Sequence, residues 1–342
     1  MRIINNSIQA RNIKNVVVTI GTFDGVHLGH QAIFKEMGHI AQEIGGETVV
    51  VTFHPHPRQV LAIGTEKLRF ICSQEEKLAK FEEFGIDNVV IIPFTKEFAS
   101  TPSDVFIRDY IIANIHPAII VVGYDHHFGK NRMGDYDMLC KLGEQYGFKT
   151  IQVAAQDINE VAVSSTKIRN FLWVGNVKAA NELLGYPYSV TGTVVAGNKI
   201  GRTIGFPTAN LDIPNEFMMI NNPGVYACRT MIDGKSYHAM ANTGLRPTIK
   251  GLAESGELKA ENFTSHPVGE PFGVQLSALG SQLLLEVNVF DFDGDLYGKT
   301  LKVWFLDRIR DEEKFKGLEA LKAQLEQDRE KVKEYFLNNP SK

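Results

Sequence analysis

The 342-residue sequence has few cysteines, no long apolar run and no excess of basic charge. Its three cysteines, Cys72, Cys140 and Cys228, are far apart and odd in number, which argues against a disulfide framework and favours a reducing compartment. No apolar stretch is long enough to span a bilayer, and the first residues lack the apolar segment of a signal peptide. The net charge of −4 gives no basic surface of the kind that binds nucleic acid. These absences predict a cytoplasmic enzyme with no membrane or nucleic-acid partner.

The length and composition predict two ordinary globular domains. A chain of 342 residues is long for one domain, and 44% hydrophobic with 22% charged residues is typical of globular proteins. Helical character ends near Gly185, a plausible C-cap, and Pro187 follows where the helix has to stop. Beyond this point the pattern of alternating strands and helices gives way to short runs. We therefore place a boundary here, which gives domains 1–185 and 186–342.

Near-continuous apolar runs alternate with helical patterns in the first domain. β-Branched runs separated by amphipathic helices predict a parallel sheet that is covered on both faces. Ligands of such sheets bind beyond the carboxyl ends of the strands, so the informative residues should follow the runs. The predicted strands are residues 16–20, 48–53, 88–92, 118–122 and 150–153, and the predicted helices include 74–84, 103–112 and 137–146.

The stretch from Gly21 to His30 follows the first run and opens an amphipathic helical pattern. Unpaired N–H groups and the dipole at a helix start attract anions, and Gly29 lets a phosphate chain approach the backbone. His27 and His30 should lie on one face of the first turn, where they could donate to phosphoryl oxygens of a nucleoside triphosphate. Two other hypotheses are a pair of surface histidines at a helix start and a metal site, although no third ligand stands at a zinc spacing.

Three further loops carry polar residues directly after predicted strands. His56 and Arg58 lie in a loop stiffened by prolines and could face a phosphate, or form only a rigid surface turn. Asp125 could bind a ribose or a cation, and Phe128 could stack on a ring. The last loop opens a helix with hydroxyls that would cap it or bind phosphate, followed by a guanidinium fork: Ser164, Ser165, Thr166 and Arg169.

Together these four loops resemble the FAD synthetase module of the HxGH nucleotidyltransferases. The matching motifs are a GxFDGxHxGH turn, a TFxPHP loop, a loop ending in an aromatic residue and Gly, and an SSTxIR helix start. The resemblance implies a Rossmann-like domain that joins FMN to the AMP part of ATP and releases pyrophosphate, with His27 and His30 catalytic. His126 departs from the family, which usually has an aromatic residue there. The implied nucleotide contacts include Gly21, Phe23, Asp24 and Gly29, and the implied flavin contacts are His56, Pro57, Arg58, Asp125 and Phe128.

The second domain has short alternating runs separated by glycine turns, which predict an antiparallel sheet that closes into a small barrel. A charged helical pattern from Glu312 to Phe336 carries a spaced apolar face and should pack on that barrel. The predicted strands are residues 189–195, 224–231, 237–241, 283–290 and 300–305.

A glycine-rich stretch, residues 197–210, could wrap phosphates with its backbone, although such loops are often plain hairpin connections. It is not a Walker A loop, because no Gly-Lys-Ser/Thr ending follows. Thr208 and Asn210, two residues apart, should point the same way and could complete the oxygen shell of a magnesium ion. Glu286 lies in an otherwise apolar run, either as an outward salt-bridged residue or as a general base.

Residues 197–210 resemble the riboflavin kinase signature GxxxGRxxGFPTAN, and the resemblance continues through 242–248, 285–292, 295–298 and 308–315. It implies transfer of phosphate from ATP to the ribityl 5′-hydroxyl of riboflavin, with Glu286 as the general base and Thr208 and Asn210 at the nucleotide–magnesium site. Residues 249–282 depart from the family as a longer insertion, and Asn288 replaces a frequent His. The implied phosphate contacts are Gly197, Lys199, Gly201, Gly205 and Pro207, and the implied flavin contacts are Asn242 and Arg310.

The two resemblances occur in the order of the bacterial bifunctional FAD synthetase family and cover nearly the whole chain. They imply riboflavin, FMN and ATP as substrates, with Mg²⁺ accompanying ATP. Two other functions are also compatible with the sequence. One is a monofunctional adenylyltransferase whose barrel only binds flavin, and the other is a flavin-binding regulatory protein without turnover. No pattern in the sequence predicts an oligomeric state.

Overall fold

The computed structural model describes residues 1–4, 13–61, 69–158, 161–197, 200–214, 219–220, 222–246 and 282–340. The predicted insertion 249–282, apart from its last residue, and Lys199 lie outside these ranges. Within the described ranges the chain folds into a parallel α/β sheet, a pair of bridging helices, a closed antiparallel barrel and a C-terminal helix.

The first half forms a six-stranded parallel sheet, as predicted. Its central strand β2 is buried at every residue, which is what a β-branched run covered on both faces requires. The edge strand β1 was not predicted, because three residues are too few to show a pattern. The strands are β1 (Arg2–Ile4), β2 (Val16–Ile20), β3 (Thr48–His54), β4 (Asn88–Pro93), β5 (Pro117–Gly123) and β6 (Lys149–Val153).

The strand order β1-β4-β3-β2-β5-β6 places a topological switch point between β2 and β5. The chain runs outward from β2 through β3 to β4 and then returns to the other side of β2 with β5. The connections that leave β2 and β5 therefore diverge and open a crevice at their carboxyl ends. The turn from Gly21 to His30 and the loop that contains Asp125 both start at this crevice.

Helices cover both faces of the sheet. Helix α1 buries Ile33, Phe34, Met37, Ile40 and Ala41, the spacing of an amphipathic helix. The predicted helix 103–112 is interrupted, since Phe106–Ile112 is a π-helix that turns Phe106, Ile107 and Ile111 into the core. The helices are α1 (Leu28–Ile44), α2 (Pro57–Leu61), α3 (Gln74–Glu83), α4 (Lys96–Ala99), α5 (Ser103–Val105), α6 (Ala113–Ile115) and α7 (Tyr136–Tyr146), with a 3₁₀ turn at Lys130–Arg132.

A short hairpin, β7 (Asp157–Ile158) and β8 (Val161–Ala162), leads into two bridging helices, α8 (Ser165–Trp173) and α9 (Val177–Leu184). Their apolar side chains share one buried cluster with the interior of the barrel, and Ile71 of the first half belongs to the same cluster. Gly185 ends α9 with φ 77°, the left-handed C-cap that its position predicts. The boundary at 185/186 stays a prediction, and the hydrophobic core is continuous across it.

The second half forms the predicted closed barrel, in the order β10-β13-β12-β11-β14-β9. Strands β12 and β14 are longer than their predicted runs, because polar and charged residues interrupt the apolar pattern towards their carboxyl ends. The strands are β9 (Ser189–Val195), β10 (Ala209–Asp212), β11 (Gly224–Ile232), β12 (Lys235–Arg246), β13 (Gln282–Val289) and β14 (Thr300–Asp311), with the short helix α10 (Ile200–Thr203) between β9 and β10.

The C-terminal helix α11 (Leu318–Asn338) packs on the barrel through Val332 and Phe336. It begins six residues after the predicted start, behind Gly317 with φ 120°. Asp328 of α11 is fully buried and accepts hydrogen bonds from Nε and Nη2 of Arg310 on β14, at 2.7 to 3.0 Å. This ion pair therefore fixes the helix on the outer face of the barrel.

None of the helices in the described ranges has the length and apolar character needed to cross a membrane.

Replacing Asp328 with Asn should destabilise the protein strongly. The change leaves the Arg310 guanidinium, whose side chain is 12% exposed, without its counter-charge. Breaking one partner of a buried ion pair costs about 3–5 kcal/mol. Urea unfolding should show this loss, whereas Glu330→Gln, which breaks the exposed Glu330–Lys333 pair on the same helix, should cost less than about 1 kcal/mol. Equal losses in the two variants would contradict the anchoring role.

Candidate functional site

A cavity of about 320 Å³ lies at the carboxyl ends of β2 and β5. It brings together side chains from all four loops that the sequence singles out, although these loops are far apart in the chain. The predicted residues that line it are His27, Gly29, His30, His56, Arg58, Asp125, Ser164, Ser165, Thr166 and Arg169. The crevice at the switch point therefore brings together the residues that the sequence predicts as a phosphate site.

The turn before α1 has an unusual backbone. Phe23 and Val26 adopt φ of 51° and 34°, and Gly25 adopts 78°, so three residues of the turn are left-handed. The ring of Phe23 is buried and packs edge-on against His30 at 5.1 Å between ring centroids. A Cβ at Gly21 would lie 2.9 Å from that ring, which explains why glycine stands there. Phe23 thus packs against the ring of His30 and does not line the cavity.

The rings of His27 and His30 are stacked, with centroids 3.6 Å apart and planes 18° from parallel. His27 is buried and makes no capping bond through its side chain, so the hypothesis of two surface histidines is wrong for it. Nδ1 of each ring is buried and has no hydrogen-bond partner among the described residues. A Cβ at Gly29 would lie 3.3 Å from the His27 ring, a tight contact that glycine avoids at this helix start.

Burial disfavours the charged form of both imidazoles. Burial lowers the pKa of His27 from 6.5 to about 4, and the opposing charges of Asp24 and Arg169 are smaller influences. Burial, followed by the charges of His27 and Lys77, holds the pKa of His30 well below its usual value. Each ring therefore offers an N–H donor to a ligand without carrying a positive charge of its own.

Asp24 joins the turn to two other segments. Its carboxylate accepts hydrogen bonds from the backbone N–H of Ile71 at 3.1 Å and of Cys72 at 3.4 Å, and it pairs with Nη2 of Arg169. The hydroxyl of Ser165 donates to the Asp24 carbonyl at 3.0 Å. Asp24 therefore holds the turn and is absent from the lining of this first cavity.

The start of α8 combines capping with a cavity wall. Ser164 accepts a hydrogen bond from the Lys167 N–H, so its predicted N-cap role is confirmed. Arg169, predicted as a fork for phosphate oxygens, uses Nη2 on Asp24 and Nε on the Arg69 carbonyl. Its charge is largely balanced by Asp24, although the side chain lines the cavity.

Phe128 does not reach the cavity, which corrects the expectation that it stacks on a ligand ring. Its ring is buried in the core of the sheet, and a Cβ at Gly134 would lie 2.4 Å from it. His126 stacks on Phe128 at 5.7 Å, and burial lowers its pKa to about 4. An aromatic residue before glycine in a loop can face either a ligand or the protein core, and the ring of Phe128 packs into the core. Asp125 does line the cavity.

A second cavity of about 260 Å³ adjoins the first, and the two share Thr22 and His56. The start of α3 forms its other wall, with Cys72, Gln74 and Lys77. Burial lowers the pKa of His56 to about 4, so this shared imidazole is also neutral. Pro57 begins α2 between His56 and Arg58 and is absent from both linings.

On the barrel, four predicted residues lie in one transverse row. Glu286 on β13 is directly opposite Asn210 on β10 and Asn242 on β12. The row continues through Val225 on β11 to Arg310 on β14. Directly paired residues of antiparallel strands share a face, so the carboxylate has an amide side chain on each side.

The glycine-rich loop closes over Asn210. A Cβ at Gly197 would lie 2.2 Å from Nδ2 of Asn210, and a Cβ at Gly201 would lie 2.2 Å from the Phe206 carbonyl oxygen. Nδ2 of Asn288 donates to the Pro207 carbonyl at 2.7 Å, so the residue that replaces the family's frequent His anchors this loop. Glycine is thus required at position 197, beside Asn210, and at position 201, where the chain passes close to Phe206.

The oxygens here suit a magnesium ion that takes its other ligands from water and nucleotide phosphates. Thr208 and Asn210 alternate along one strand edge, and Glu286 is the direct neighbour of Asn210. No cluster of three or more His, Cys, Asp or Glu side chains that could hold a metal occurs within the described ranges. A nucleotide-bound Mg²⁺ needs only one or two protein oxygens, so this sparse set fits it.

Several residues that line the two cavities were not singled out from the sequence, among them Thr22, Lys77 and Arg132. A signal for Lys77 was present. It stands four residues before Phe81, so it lies on the face of α3 that packs on the core, where a lysine needs a reason. Arg132 lies in an irregular loop, where no periodicity identifies it.

A polar crevice with neutral histidines at a helix start, next to a barrel with a carboxylate between two amides, defines a two-domain enzyme of nucleotidyl and phosphoryl transfer. The comparisons with known proteins agree with this class. The family model for FAD synthetase matches residues 9–167, and the family model for riboflavin kinase matches residues 184–336. The chain belongs to the family of bifunctional riboflavin kinase/FMN adenylyltransferases, with the FAD synthetase part first.

Proteins of that name from Listeria monocytogenes and Bacillus subtilis are each 35% identical over 94% of this chain and 93% of their own length. The Escherichia coli K12 protein is 32% identical over 98% of this chain and 97% of its own. A crystal structure described as a macrolide-efflux protein from Streptococcus pneumoniae superposes with a TM-score of 0.79 at 32% identity, over 97% of this chain and 99% of that one. The similarity therefore extends over both halves and their arrangement.

The buried state of His27 should make the protein sensitive to acid. Its pKa falls from 6.5 to about 4 on folding, so the unfolded chain binds the proton more readily between these values. The neutral imidazole therefore favours the folded state fully above pH 6.5, and this contribution is lost as the pH falls through 4. We expect His27→Asn to lose less stability than the wild type between pH 7 and pH 4, by about 3 kcal/mol in urea unfolding.

The control is His39→Asn on the exposed side of α1, where the side chain is 66% exposed. This variant should follow the wild-type pH dependence. If His27→Asn followed it too, the imidazole would not be buried as the structure shows.

Proposed function

We propose that FMN is adenylylated in the crevice formed by the two adjoining cavities and that riboflavin is phosphorylated at the Asn210–Glu286–Asn242 row. The family supplies the two activities, a riboflavin kinase and an FMN adenylyltransferase that both use ATP. The assignment of residues rests chiefly on one observation. Two stacked imidazoles lie at the switch point of a parallel sheet and line its cavity, and their buried Nδ1 atoms have no hydrogen-bond partner among the described residues.

Adenylyl transfer requires no nucleophile from the protein. A phosphate oxygen of FMN forms a bond to the α-phosphorus of ATP while the bond from that phosphorus to the β-phosphate oxygen breaks, and pyrophosphate leaves. What the protein supplies is alignment and stabilisation of the charge that builds on the α-phosphoryl oxygens. His27 and His30 donate N–H groups there, and the start of the 17-residue helix α1 adds its positive dipole end.

Neutral histidines have a specific advantage in this role. Because burial lowers the pKa values of His27 and His30, it favours their neutral forms, which keep one N–H donor each and carry no positive charge. Thr166, Ser165 and Arg58 line the same cavity and would bind the remaining phosphates. Gly29 leaves the backbone open to them.

In the barrel, Glu286 is the general base for the ribityl 5′-hydroxyl. It accepts the hydroxyl proton as the oxygen attacks the γ-phosphorus, and ADP leaves. Thr208 and Asn210 would hold the Mg²⁺ that accompanies ATP, which neutralises charge on the transferring phosphoryl group. The glycine-rich loop, with Gly197, Lys199, Gly201, Gly205 and Pro207, would enclose the phosphates, and Asn242 and Arg310 would lie on the flavin side of the row.

Two substitutions should separate the activities. His30→Ala removes a donor to the α-phosphoryl group and should lower FAD formation by about 100-fold or more, with FMN formation unchanged. Glu286→Gln keeps the shape of the barrel strand but removes the base, so it should lower FMN formation by about 100-fold while FAD formation from added FMN continues. Chromatographic separation of FMN and FAD measures FMN formation after incubation with riboflavin, ATP and magnesium, and FAD formation in a parallel incubation with added FMN, ATP and magnesium.

His39→Ala is the matched control, because it changes an exposed histidine on the same helix. Loss of both activities in either folded test variant would contradict the assignment. With γ-labelled ATP, an absence of labelled FMN from the wild type would support an adenylyltransferase with a binding-only barrel instead. Tight flavin binding without pyrophosphate release would support a regulatory protein.

A further inference from the structure

Lys77 is a buried cation with neutral hydrogen-bond partners. Its side chain is 6% exposed, and Nζ donates to the Thr22 carbonyl at 3.1 Å and to Oγ1 of Thr52 at 3.2 Å. Over the described ranges, it forms no ion pair with a carboxylate. A buried ammonium without a counter-charge is costly, and it has three N–H donors, of which two are used here.

The position of Lys77 in the second cavity indicates which ligand group its charge could bind. It lines the second cavity but not the first, and its partner Thr22 lies at the junction that the two cavities share with His56. The first cavity holds the histidines and the start of α8, so it is the one suited to ATP. The nucleophilic phosphate has to reach the α-phosphorus from the adjoining side, and that side is the wall formed by Thr22 and Lys77.

We propose that Lys77 binds the phosphate of FMN and directs its attacking oxygen across the junction, a role that rests on the proposed adenylyl-transfer site. The two carboxylates of the second cavity do not compete for the ammonium. Asp24 is paired with Arg169 and with two backbone N–H groups, and Glu75 lies in the exposed first turn of α3. A phosphate dianion in this cavity would supply the missing counter-charge.

The phosphate also explains why a lysine is tolerated at a core position. Burial lowers the pKa of Lys77, and the charges of Cys72 and Asp24 only partly oppose this. A bound phosphate would favour the protonated ammonium in turn, so the site would bind FMN more readily than a flavin without phosphate. The Lys77 ammonium would undergo no covalent change and would act by binding alone.

The test compares FMN with 5′-deoxyriboflavin, a flavin with neither a phosphate nor the hydroxyl that the kinase phosphorylates. In the full-length protein, Lys77→Met should raise KM for FMN in adenylyl transfer by about 10- to 100-fold, the cost of one charge-assisted hydrogen bond. KM for ATP and the inhibition constant of 5′-deoxyriboflavin should not change. Lys77→Arg keeps the charge and should give a smaller increase in KM for FMN.

Lys35→Met, an exposed lysine of α1, is the control and should leave every constant at its wild-type value. An unchanged KM for FMN in folded Lys77→Met, or an equal increase in the inhibition constant of 5′-deoxyriboflavin, would overturn the proposal. An equal increase in that inhibition constant would mean that Lys77 only supports the structure of the turn after β2. If circular dichroism shows that Lys77→Met does not fold, KM for FMN and the inhibition constant of 5′-deoxyriboflavin are compared in Lys77→Arg instead, and the same two outcomes would overturn the proposal. Because His30→Ala tests the adenylyl site itself, a failure of Lys77 alone is distinguishable from a failure of that assignment.

Discussion

The carboxylate of Asp24 connects three segments that are far apart in the sequence. It accepts N–H groups from Ile71 and Cys72, and it pairs with Arg169 of α8, 145 residues further along the chain. A buried carboxylate is tolerated only when it is paired and hydrogen-bonded, so these partners have to assemble together. Once they do, the turn after β2, the approach to α3 and the start of α8 are fixed around one crevice.

The same network maintains the left-handed turn that carries the histidines. Phe23 and Val26 hold φ values that cost energy for residues with a Cβ, and they persist only because their surroundings constrain them. Asp24 lies between them and is bonded on both sides. The charges of Asp24 and Arg169 act on His27 in opposite directions, so burial decides its pKa. The ion pair therefore gives rigidity without making the imidazole cationic.

The sequence allowed prediction of features that depend on local pattern. The parallel sheet follows from β-branched runs, the barrel from short alternating runs, and the crevice from polar residues after the strands. Features set by tertiary pairing could not be read in this way. The partner of Arg169 is one example, since nothing local indicates whether a guanidinium faces a phosphate or a carboxylate. Phe128 is another, because its ring turns to the core.

In the barrel, too, local motifs could be predicted from the sequence and tertiary pairings could not. Asn210, Glu286 and Asn242 were each identified from motifs, but their alignment in one row is a property of strand register that no single strand reveals. The start of α11 was placed too early because residues 312–317 share its charged composition, and Gly317 ends the irregular segment. The role of Asn288 as an anchor for Pro207 also emerged only from the folded chain.

Tyr186, one residue beyond the predicted boundary, donates its hydroxyl to the Gly25 carbonyl inside the histidine turn. Gln31 of α1 donates to the Leu184 carbonyl at 2.7 Å, and a Cβ at Gly185 would lie 2.6 Å from Leu28. Farther out, Lys302 of the barrel pairs with Glu76 at the start of α3. The connecting peptide is thus bonded to the turn and the helix start that carry His27 and His30. Exchanging the barrel for an unrelated fusion partner, or lengthening the junction by a single residue, would shift that turn even though its side chains were retained.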